Sequence, residues 1–123
     1  MRLIAGLAAV AALGFVFAGA AFADPAGVTV KDGAFIAPDG KPLYTFSRDT
    51  TPSKSACNGG CAASWPALAA TATDKDAGDW TVVTRDDGAK QWAYKGKPLY
   101  TFARDTAGAA ATGVSAAWPL ATK

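Results

Sequence analysis

GKPLYTFSRDT at residues 40–50 and GKPLYTFARDT at residues 96–106 are two copies of one phrase. Ten of the eleven positions are identical, and the exception is a Ser in the first copy and an Ala in the second. Each copy is followed by a Trp-Pro pair, Trp65-Pro66 in one case and Trp118-Pro119 in the other. Near-identical copies of this kind indicate an internal duplication. The chain is therefore predicted to contain two related structural repeats.

The first 23 residues have the layout of a secretory signal peptide. Arg2 supplies a positive start, an apolar run follows from Leu3 to Phe22, and a small-x-small cleavage signal ends at Ala23. The apolar run is also long enough to anchor the chain in a membrane if it is retained. Because the cleavage signal lies where a peptidase needs it, we expect a periplasmic or secreted product with no membrane span.

Removal of the signal peptide leaves residues 24–123, a length that suits one small domain. This domain carries 11 basic side chains, because Arg2 is lost, against 10 acidic ones. Such a balance gives no electrostatic reason to expect nucleic acid or an anionic membrane as a partner. We predict that the domain consists of two repeats, at about residues 28–68 and 80–121.

Several residue types that carry chemistry are missing from the sequence. It contains no His and no Glu, and its single Met is the initiator. This excludes His-dependent triads, zinc or haem held by His, and copper sites built from Met and His. Acid–base chemistry would have to come from Asp, Lys, Tyr or Cys. We therefore predict a protein that is not an enzyme and has no cofactor, and the sequence leaves open whether it binds a metal.

Short runs of β-branched and aromatic residues between turn residues predict an all-β, mainly antiparallel fold with little helix. The expected strands lie at residues 28–30, 34–37 and 43–47 in the first repeat and at 80–84, 91–94 and 99–103 in the second. One helical turn is expected at residues 62–65. Because each repeat is too small to bury its aromatic side alone, we expect two tandem β-hairpin repeats with pseudo-twofold packing.

The aromatic residues of the phrase lie on one face of each predicted strand. Tyr44 and Phe46 alternate with polar or aliphatic neighbours, and Tyr100 and Phe102 repeat the arrangement. Such a face can form the hydrophobic core, or it can form a platform on which a ligand ring or a sugar stacks. A chain of this length must bury most of its large apolar groups, which favours the core.

Asp49 and Asp105 come just after the two predicted strands. An Asp at such a position can accept backbone N–H bonds from the residues that follow and so define a turn. Alternatively, the pseudo-twofold could bring the two carboxylates together around a cation. The spacing favours the turn role and does not exclude the cation site.

The sequence has two cysteines, Cys57 and Cys61. In an exported protein, a single pair of cysteines most simply forms a disulfide. Redox pairs usually have C-x-x-C spacing, whereas this pair has C-x-x-x-C spacing. The second repeat contains no cysteine, so the fold does not require one. We expect a structural disulfide, with a redox or thiol-ligand role as the alternative.

The duplicated L-Y-x-F-x-x-D phrase, together with CNGGCAASWP at residues 57–66, resembles a family of bacterial secreted repeat proteins. These are usually described as predicted lipoproteins with a Y-x-[FWY]-x-x-D motif. The motif residues of this chain are Tyr44, Phe46 and Asp49 in the first copy and Tyr100, Phe102 and Asp105 in the second. The resemblance implies a small exported bacterial domain without an established activity. No Cys lies directly after the cleavage site, which disagrees with the lipoprotein description.

These observations lead to two hypotheses about function. The first is a non-enzymatic β-repeat domain of the bacterial cell envelope that binds an unidentified ligand or partner, or has a structural role. The alternative is a thiol-based redox or metal-handling protein that uses Cys57 and Cys61.

Overall fold

The structure is a computed structural model that describes residues 24–25 and 27–123. The predicted signal peptide and its cleavage site at Ala23 lie outside the described residues. No helix in the described part of the chain is long and apolar enough to cross a membrane.

The described residues form two small antiparallel sheets and one short helix. β1 pairs with β2 in the first sheet, and the second sheet has the order β3-β4-β5. The elements in chain order are β1 (Thr29–Lys31), β2 (Ala34–Ile36), α1 (Gly60–Ser64), β3 (Trp80–Thr84), β4 (Lys90–Tyr94) and β5 (Lys97–Pro98). The predicted all-β, mainly antiparallel fold with little helix is confirmed. Below, the first repeat means the chain up to Ala70, and the second repeat means the chain from Trp80 onwards.

Two-residue turns define the register of the short strands. Asp32 and Gly33 connect β1 to β2 with φ values of 52° and 82°, which places Val30 opposite Phe35. Lys95 and Gly96 connect β4 to β5 with φ values of 51° and 82°. Positive φ at both central residues gives the backbone the twist that a tight hairpin needs. Gly adopts this conformation without strain, which is why each turn contains one.

The strands predicted at residues 43–47 and 99–103 are wrong as continuous strands. Tyr44 and Tyr100 instead form an isolated antiparallel bridge, in which each backbone N–H donates to the other residue's carbonyl, at 2.7 and 2.9 Å. Tyr44 also bridges Leu120, and Tyr100 also bridges Ala67. Each segment therefore changes its hydrogen-bonding partner within a few residues, so no long ladder can form.

The hairpin of the first repeat is completed by the end of the second repeat. Phe35 N donates to Ala121 O at 3.0 Å, and Ala121 N donates to Leu43 O at 2.9 Å. Leu43 N in turn donates to Phe35 O at 3.1 Å. The three backbones thus form one closed set of hydrogen bonds that neither repeat can make alone.

The same arrangement recurs in the second repeat with the roles exchanged. Trp92 N donates to Leu68 O, and Leu68 N donates to Leu99 O, both at 2.9 Å. Leu99 N donates to Trp92 O at 3.0 Å. The repeats are therefore interlocked by two exchanged segments, residues 66–70 and 119–123.

The Trp-Pro pairs begin the exchanged segments. Thr45 N donates to Pro119 O at 3.0 Å, and Thr101 N donates to Pro66 O at 2.8 Å. A proline has no N–H but keeps its carbonyl acceptor. Each proline therefore accepts from the opposite repeat at a position where no donor is needed.

Two clusters of buried side chains lie on either side of the bridging segments. Leu43 belongs to the first cluster and Tyr44 to the second, as alternation along an extended chain requires. The hairpin core contains Val28, Phe35, Ala37, Leu43, Leu68, Trp80, Trp92, Leu99 and Ala121. The central aromatic cluster contains Tyr44, Cys57, Tyr100 and Trp118, with Phe46, Cys61, Trp65, Phe102, Ala111, Ala117 and Leu120 packed against them.

Because of the exchange, neither repeat should fold alone. We expect peptides of residues 24–75 and 76–123 to be unfolded separately and to form the native sheets when mixed, since each supplies the other's missing segment. Circular dichroism and amide NMR spectra check this, with the intact 24–123 chain as the reference. A dispersed native-like spectrum from either peptide alone would contradict the interlocked arrangement.

Candidate functional site

The tyrosine of each phrase pairs with the aspartate of the other phrase. Tyr44 Oη donates to Asp105 Oδ2, and Tyr100 Oη donates to Asp49 Oδ2, both at 2.6 Å. Both tyrosines are fully buried, with 0 % exposure. The tyrosine and the aspartate of one phrase, five residues apart, are therefore not each other's partners. Each hydrogen bond instead joins the two repeats.

The second carboxylate oxygen of each aspartate closes the loop that follows it. Asp49 Oδ1 accepts the backbone N–H of Ala56 at 2.7 Å. Asp105 Oδ1 accepts the backbone N–H of Thr112 at 2.8 Å. In the structure the two carboxylates each face a tyrosine of the opposite repeat. Within the described residues, no group of three potential metal ligands comes together.

These contacts shift the pKa values of both tyrosines and of Asp105 away from neutrality. Burial, followed by the hydrogen bond to Asp105, raises the pKa of Tyr44 to about 12. Burial and the hydrogen bond to Asp49 likewise raise the pKa of Tyr100 to about 12. Burial alone would raise the pKa of Asp105, but hydrogen bonds from Thr112 and Tyr44 outweigh it and lower that pKa. The Tyr44–Asp105 pair therefore joins a neutral phenol donor to a charged acceptor, which is a strong type of hydrogen bond.

The two phenylalanines of the phrase end a stack of four aromatic rings. Phe46 stacks on Trp118 at 4.1 Å between centroids, Trp118 on Trp65 at 3.9 Å, and Trp65 on Phe102 at 4.4 Å. Rings from the first and second repeats alternate along the stack. The inner ring faces are thus covered by other rings of this protein, so they offer no open platform to a ligand.

Gly113 lies directly against one end of the stack. A Cβ at this position would lie 2.7 Å from Trp65 and 2.8 Å from Phe102, distances that no side chain can adopt. The backbone N–H of Gly113 also donates to Tyr44 Oη at 3.1 Å. The loop of the second repeat is therefore held tightly over its motif.

The corresponding loop of the first repeat differs at one decisive position. Thr112 donates a second hydrogen bond to Asp105 through its hydroxyl, at 2.6 Å. Ala56 takes the equivalent place in the first repeat, seven residues after Asp49, and has no hydroxyl. Among the described residues, Asp105 thus receives three hydrogen bonds and Asp49 receives two. Asp105 is only 5 % exposed, whereas Asp49 is partly exposed.

Asp49 lines a cavity of about 190 Å³, which we call the loop cavity. Its other polar walls include Arg48, Lys54, Asn58 and Asp86. Lys54 Nζ lies 3.5 Å from Asp86 Oδ1, and Asn58 Nδ2 donates to Asp86 Oδ2 at 3.2 Å. The walls thus carry two cations and two carboxylates, so their formal charges balance.

A chain of hydrogen bonds leads from Asp49 to the buried Arg85. Arg85 Nη1 and the backbone N–H of Cys57 both donate to Ser55 Oγ, at 3.1 and 3.2 Å. Because this hydroxyl accepts twice, its own proton is directed to Tyr100 Oη at 2.7 Å. Tyr100 then donates to Asp49. The direction of every proton in this chain is thereby determined.

Cys57 and Cys61 form a disulfide at the start of α1. Cys57 is completely buried and Cys61 is half-buried. Helix α1 lies in the stretch between Asp49 and Trp65, which is three residues longer than the matching stretch of the second repeat. The disulfide thus belongs to a part of the first repeat that has no counterpart in the second.

Sequence reasoning singled out the six motif residues and both cysteines but missed Arg85, Ser55 and Ala56. Arg85 follows β3 directly and precedes a turn, so its sequence context is that of an ordinary exposed residue. Alignment of the two loops on Asp49 and Asp105 would have placed Ala56 opposite Thr112. That comparison is the available sequence signal for the difference between the two loops.

Comparison with known proteins agrees with the expected family. A family model described as a secreted repeat of unknown function matches residues 26–69 and matches again at residues 81–122. The chain belongs to this family of secreted repeats. No match was found among curated proteins or among solved structures.

Removal of either motif hydroxyl should destabilise the fold. Tyr44→Phe and Tyr100→Phe each delete a hydrogen bond to a charged group, for which we expect a loss of about 1.5–3 kcal/mol. Each substitution also removes an acceptor, that of Gly113 for Tyr44→Phe and that of Ser55 for Tyr100→Phe. The loss should be larger for Tyr44→Phe, because Asp105 is buried whereas Asp49 is partly exposed. Urea unfolding measures both changes.

Tyr94→Phe is the matched control, since the Tyr94 hydroxyl makes no hydrogen bond within the described residues and should change stability by less than about 0.5 kcal/mol. Equal effects of all three substitutions would show that the crossed pairs contribute nothing.

The raised tyrosine pKa values predict a loss of stability at alkaline pH. A folded pKa of about 12, against an ordinary value of 10.0, stabilises the fold fully below pH 10.0. This contribution should disappear as the pH rises from 10.0 towards 12, because unfolding then releases protons. Urea midpoints recorded across this range, together with phenolate absorbance, test the prediction. A flat profile would contradict it.

Proposed function

We propose that the mature chain is a non-enzymatic binding domain of the bacterial cell envelope, either periplasmic or released, and that the loop cavity is its binding site. The supporting observation is the difference between two aspartates in otherwise identical phrases. Asp105 takes a third hydrogen bond from Thr112, whereas Asp49 has Ala56 at that place and lines a cavity. An acceptor of Asp49 therefore remains for a ligand.

The duplicated motif then serves as scaffold. Its tyrosines and aspartates are paired across the repeats, and its phenylalanines end the aromatic stack. General acid–base catalysis works best with a pKa near the operating pH. The pKa values of Tyr44 and Tyr100 are raised and that of Asp105 is lowered, so these groups are not suited to proton transfer near neutral pH.

The chemistry of the walls suggests the class of ligand. Balanced charges favour a ligand without net charge, and carboxylate, amide and guanidinium groups suit one that carries several hydroxyls. The volume of about 190 Å³ is smaller than the roughly 300–1,000 Å³ typical of drug-sized ligands. We therefore propose a sugar unit, bound through its hydroxyls, as the ligand.

The substitution Ala56→Thr provides a direct test. It copies Thr112 into the first repeat, where the new hydroxyl should donate to Asp49 Oδ1. We expect sugar binding to be lost while stability is kept or rises by about 0.5–1.5 kcal/mol. Amide NMR titration of the 24–123 chain with a panel of mono- and disaccharides measures binding, with shifts expected at residues 48–58 and at Asp86.

Ala110→Thr is the matched control, because it adds the same side chain to an exposed position in the loop of the second repeat and should leave binding unchanged. If no sugar in the panel shifts the loop resonances, or if Ala56→Thr binds as well as the unmodified chain, the loop cavity is not a sugar site. Substrate turnover that disappears in Asp49→Ala would overturn the non-enzymatic part of the proposal.

One observation keeps the alternative of a thiol-based function open. The disulfide lies in the longer stretch of the first repeat, where the fold does not require it. A metal-handling role would first require reduction, since a thiolate is the species that binds metal and both sulfurs are bonded to each other.

A further inference from the structure

Arg85 is a buried cation whose acceptors are all neutral. It is 6 % exposed, and it donates to Ser55 Oγ, Gln91 Oε1 and the backbone carbonyl of Cys57. No carboxylate in the described residues lies within 4.0 Å of it, since the ion pairs found there join Lys54 to Asp86 and Lys123 to Asp24. The rest of the chain, residues 1–23 and 26, contains no acidic side chain.

This environment is unusual for an arginine. Buried charges are nearly always paired, because removing an ion from water costs several kcal/mol. An arginine cannot relieve that cost by losing its proton. Asp49 compensates only indirectly, through the intervening hydroxyls of Ser55 and Tyr100.

Cys57 is the neighbour of Arg85 that can acquire a negative charge. Arg85 Nη2 donates to the carbonyl of Cys57, and Arg85 Nη1 shares Ser55 Oγ with the N–H of Cys57. Reduction of the disulfide would free the sulfur of Cys57, a fully buried residue whose backbone carbonyl accepts directly from this cation. A nearby cation stabilises a thiolate relative to the thiol. The other ionisable neighbour, Tyr100, already donates its proton to Asp49.

We propose that the Cys57–Cys61 disulfide is a reducible thiol–disulfide exchange site and that Arg85 is a positioning residue that stabilises the Cys57 thiolate. The reaction partner is a dithiol reductant, either a small molecule or a protein. This inference is independent of the proposed sugar site.

The exchange has a defined order. A thiolate of the dithiol attacks Cys61 Sγ, since Cys61 is the more exposed of the two cysteines. The bond between Cys61 and Cys57 breaks, and Cys57, whose carbonyl Arg85 contacts, leaves as a thiolate. The second thiol of the reductant then attacks the mixed disulfide, so the reductant becomes a disulfide and Cys61 becomes a thiol after taking up a proton. Two electrons pass from the dithiol to the cysteine pair.

The fold should survive this reduction. The cysteines close a very short loop, so the disulfide restricts the unfolded chain little and contributes only modestly to stability. The segment keeps the Asp49 contact to Ala56, the Asn58 contact to Asp86 and the Arg85 contact to the Cys57 carbonyl. Exchange therefore does not depend on global unfolding.

The reduction equilibrium tests the role of Arg85. The 24–123 chain and its Arg85→Met, Arg85→Lys and Arg104→Met variants are equilibrated with glutathione buffers, alkylated and analysed by mass spectrometry. We expect Arg85→Met to shift the equilibrium towards the disulfide by tenfold or more, because the reduced state loses the stabilisation of its thiolate. Arg85→Lys should retain most of the original value. Arg104→Met, which removes an exposed arginine outside the loop cavity and the disulfide loop, should leave it unchanged.

A second measurement separates an electrostatic role from a structural one. In Cys61→Ser, Cys57 is the only thiol, and its pKa can be read from thiolate absorbance in the folded protein. We expect a pKa below the ordinary value of about 8.5, and a rise of at least about one unit when Arg85→Met is added.

The proposal has two points of failure. A Cys57 pKa at or above about 8.5 in folded Cys61→Ser overturns it, even if Arg85→Met does not fold. A disulfide that glutathione reduces only after the protein is unfolded overturns it as well.

Discussion

The crossed hydrogen bonds between tyrosine and aspartate are the interaction on which the rest of the structure depends. Each phenol reaches the carboxylate of the opposite repeat at 2.6 Å, and beside them the two tyrosine backbones bridge directly. A buried carboxylate is costly unless it is hydrogen-bonded. Asp105 therefore gains its phenol partner only when both repeats are in place, and the exchanged segments and the alternating ring stack follow the same crossed pattern.

The symmetry of the molecule explains its fold, and its departures from symmetry are the basis of the proposed binding and exchange sites. The tyrosines, aspartates and phenylalanines that the two phrases share contact the opposite repeat. The first repeat alone has the loop cavity beside Asp49, the disulfide and the contact to the buried Arg85. Ala56 stands where the second repeat has Thr112. Asp49 therefore lacks the hydroxyl donor that Asp105 has, and a single hydroxyl accounts for this difference.

The duplication and the short alternating runs were enough to predict an all-β fold of two repeats with little helix. They could not predict that each repeat completes the other, because periodicity records which face of a strand is buried and not which strand lies beside it. For the same reason, residues 43–47 and 99–103 were expected to be regular strands, whereas their partners change at Tyr44 and Tyr100. The burial of Arg85 was equally invisible, since it depends on a loop almost 30 residues away in the chain.

The sequence by itself determined the repeat, the family and the absence of histidine chemistry, because these are properties of residue identity and spacing. The tertiary structure alone decided which tyrosine meets which aspartate, and that Asp49 lines a cavity whereas Asp105 is buried. The physical reason is that the partners of these groups lie in the other repeat or in the following loop. The two nearly identical phrases thus acquire different environments when the halves of the chain pack together and the differing loops close over them.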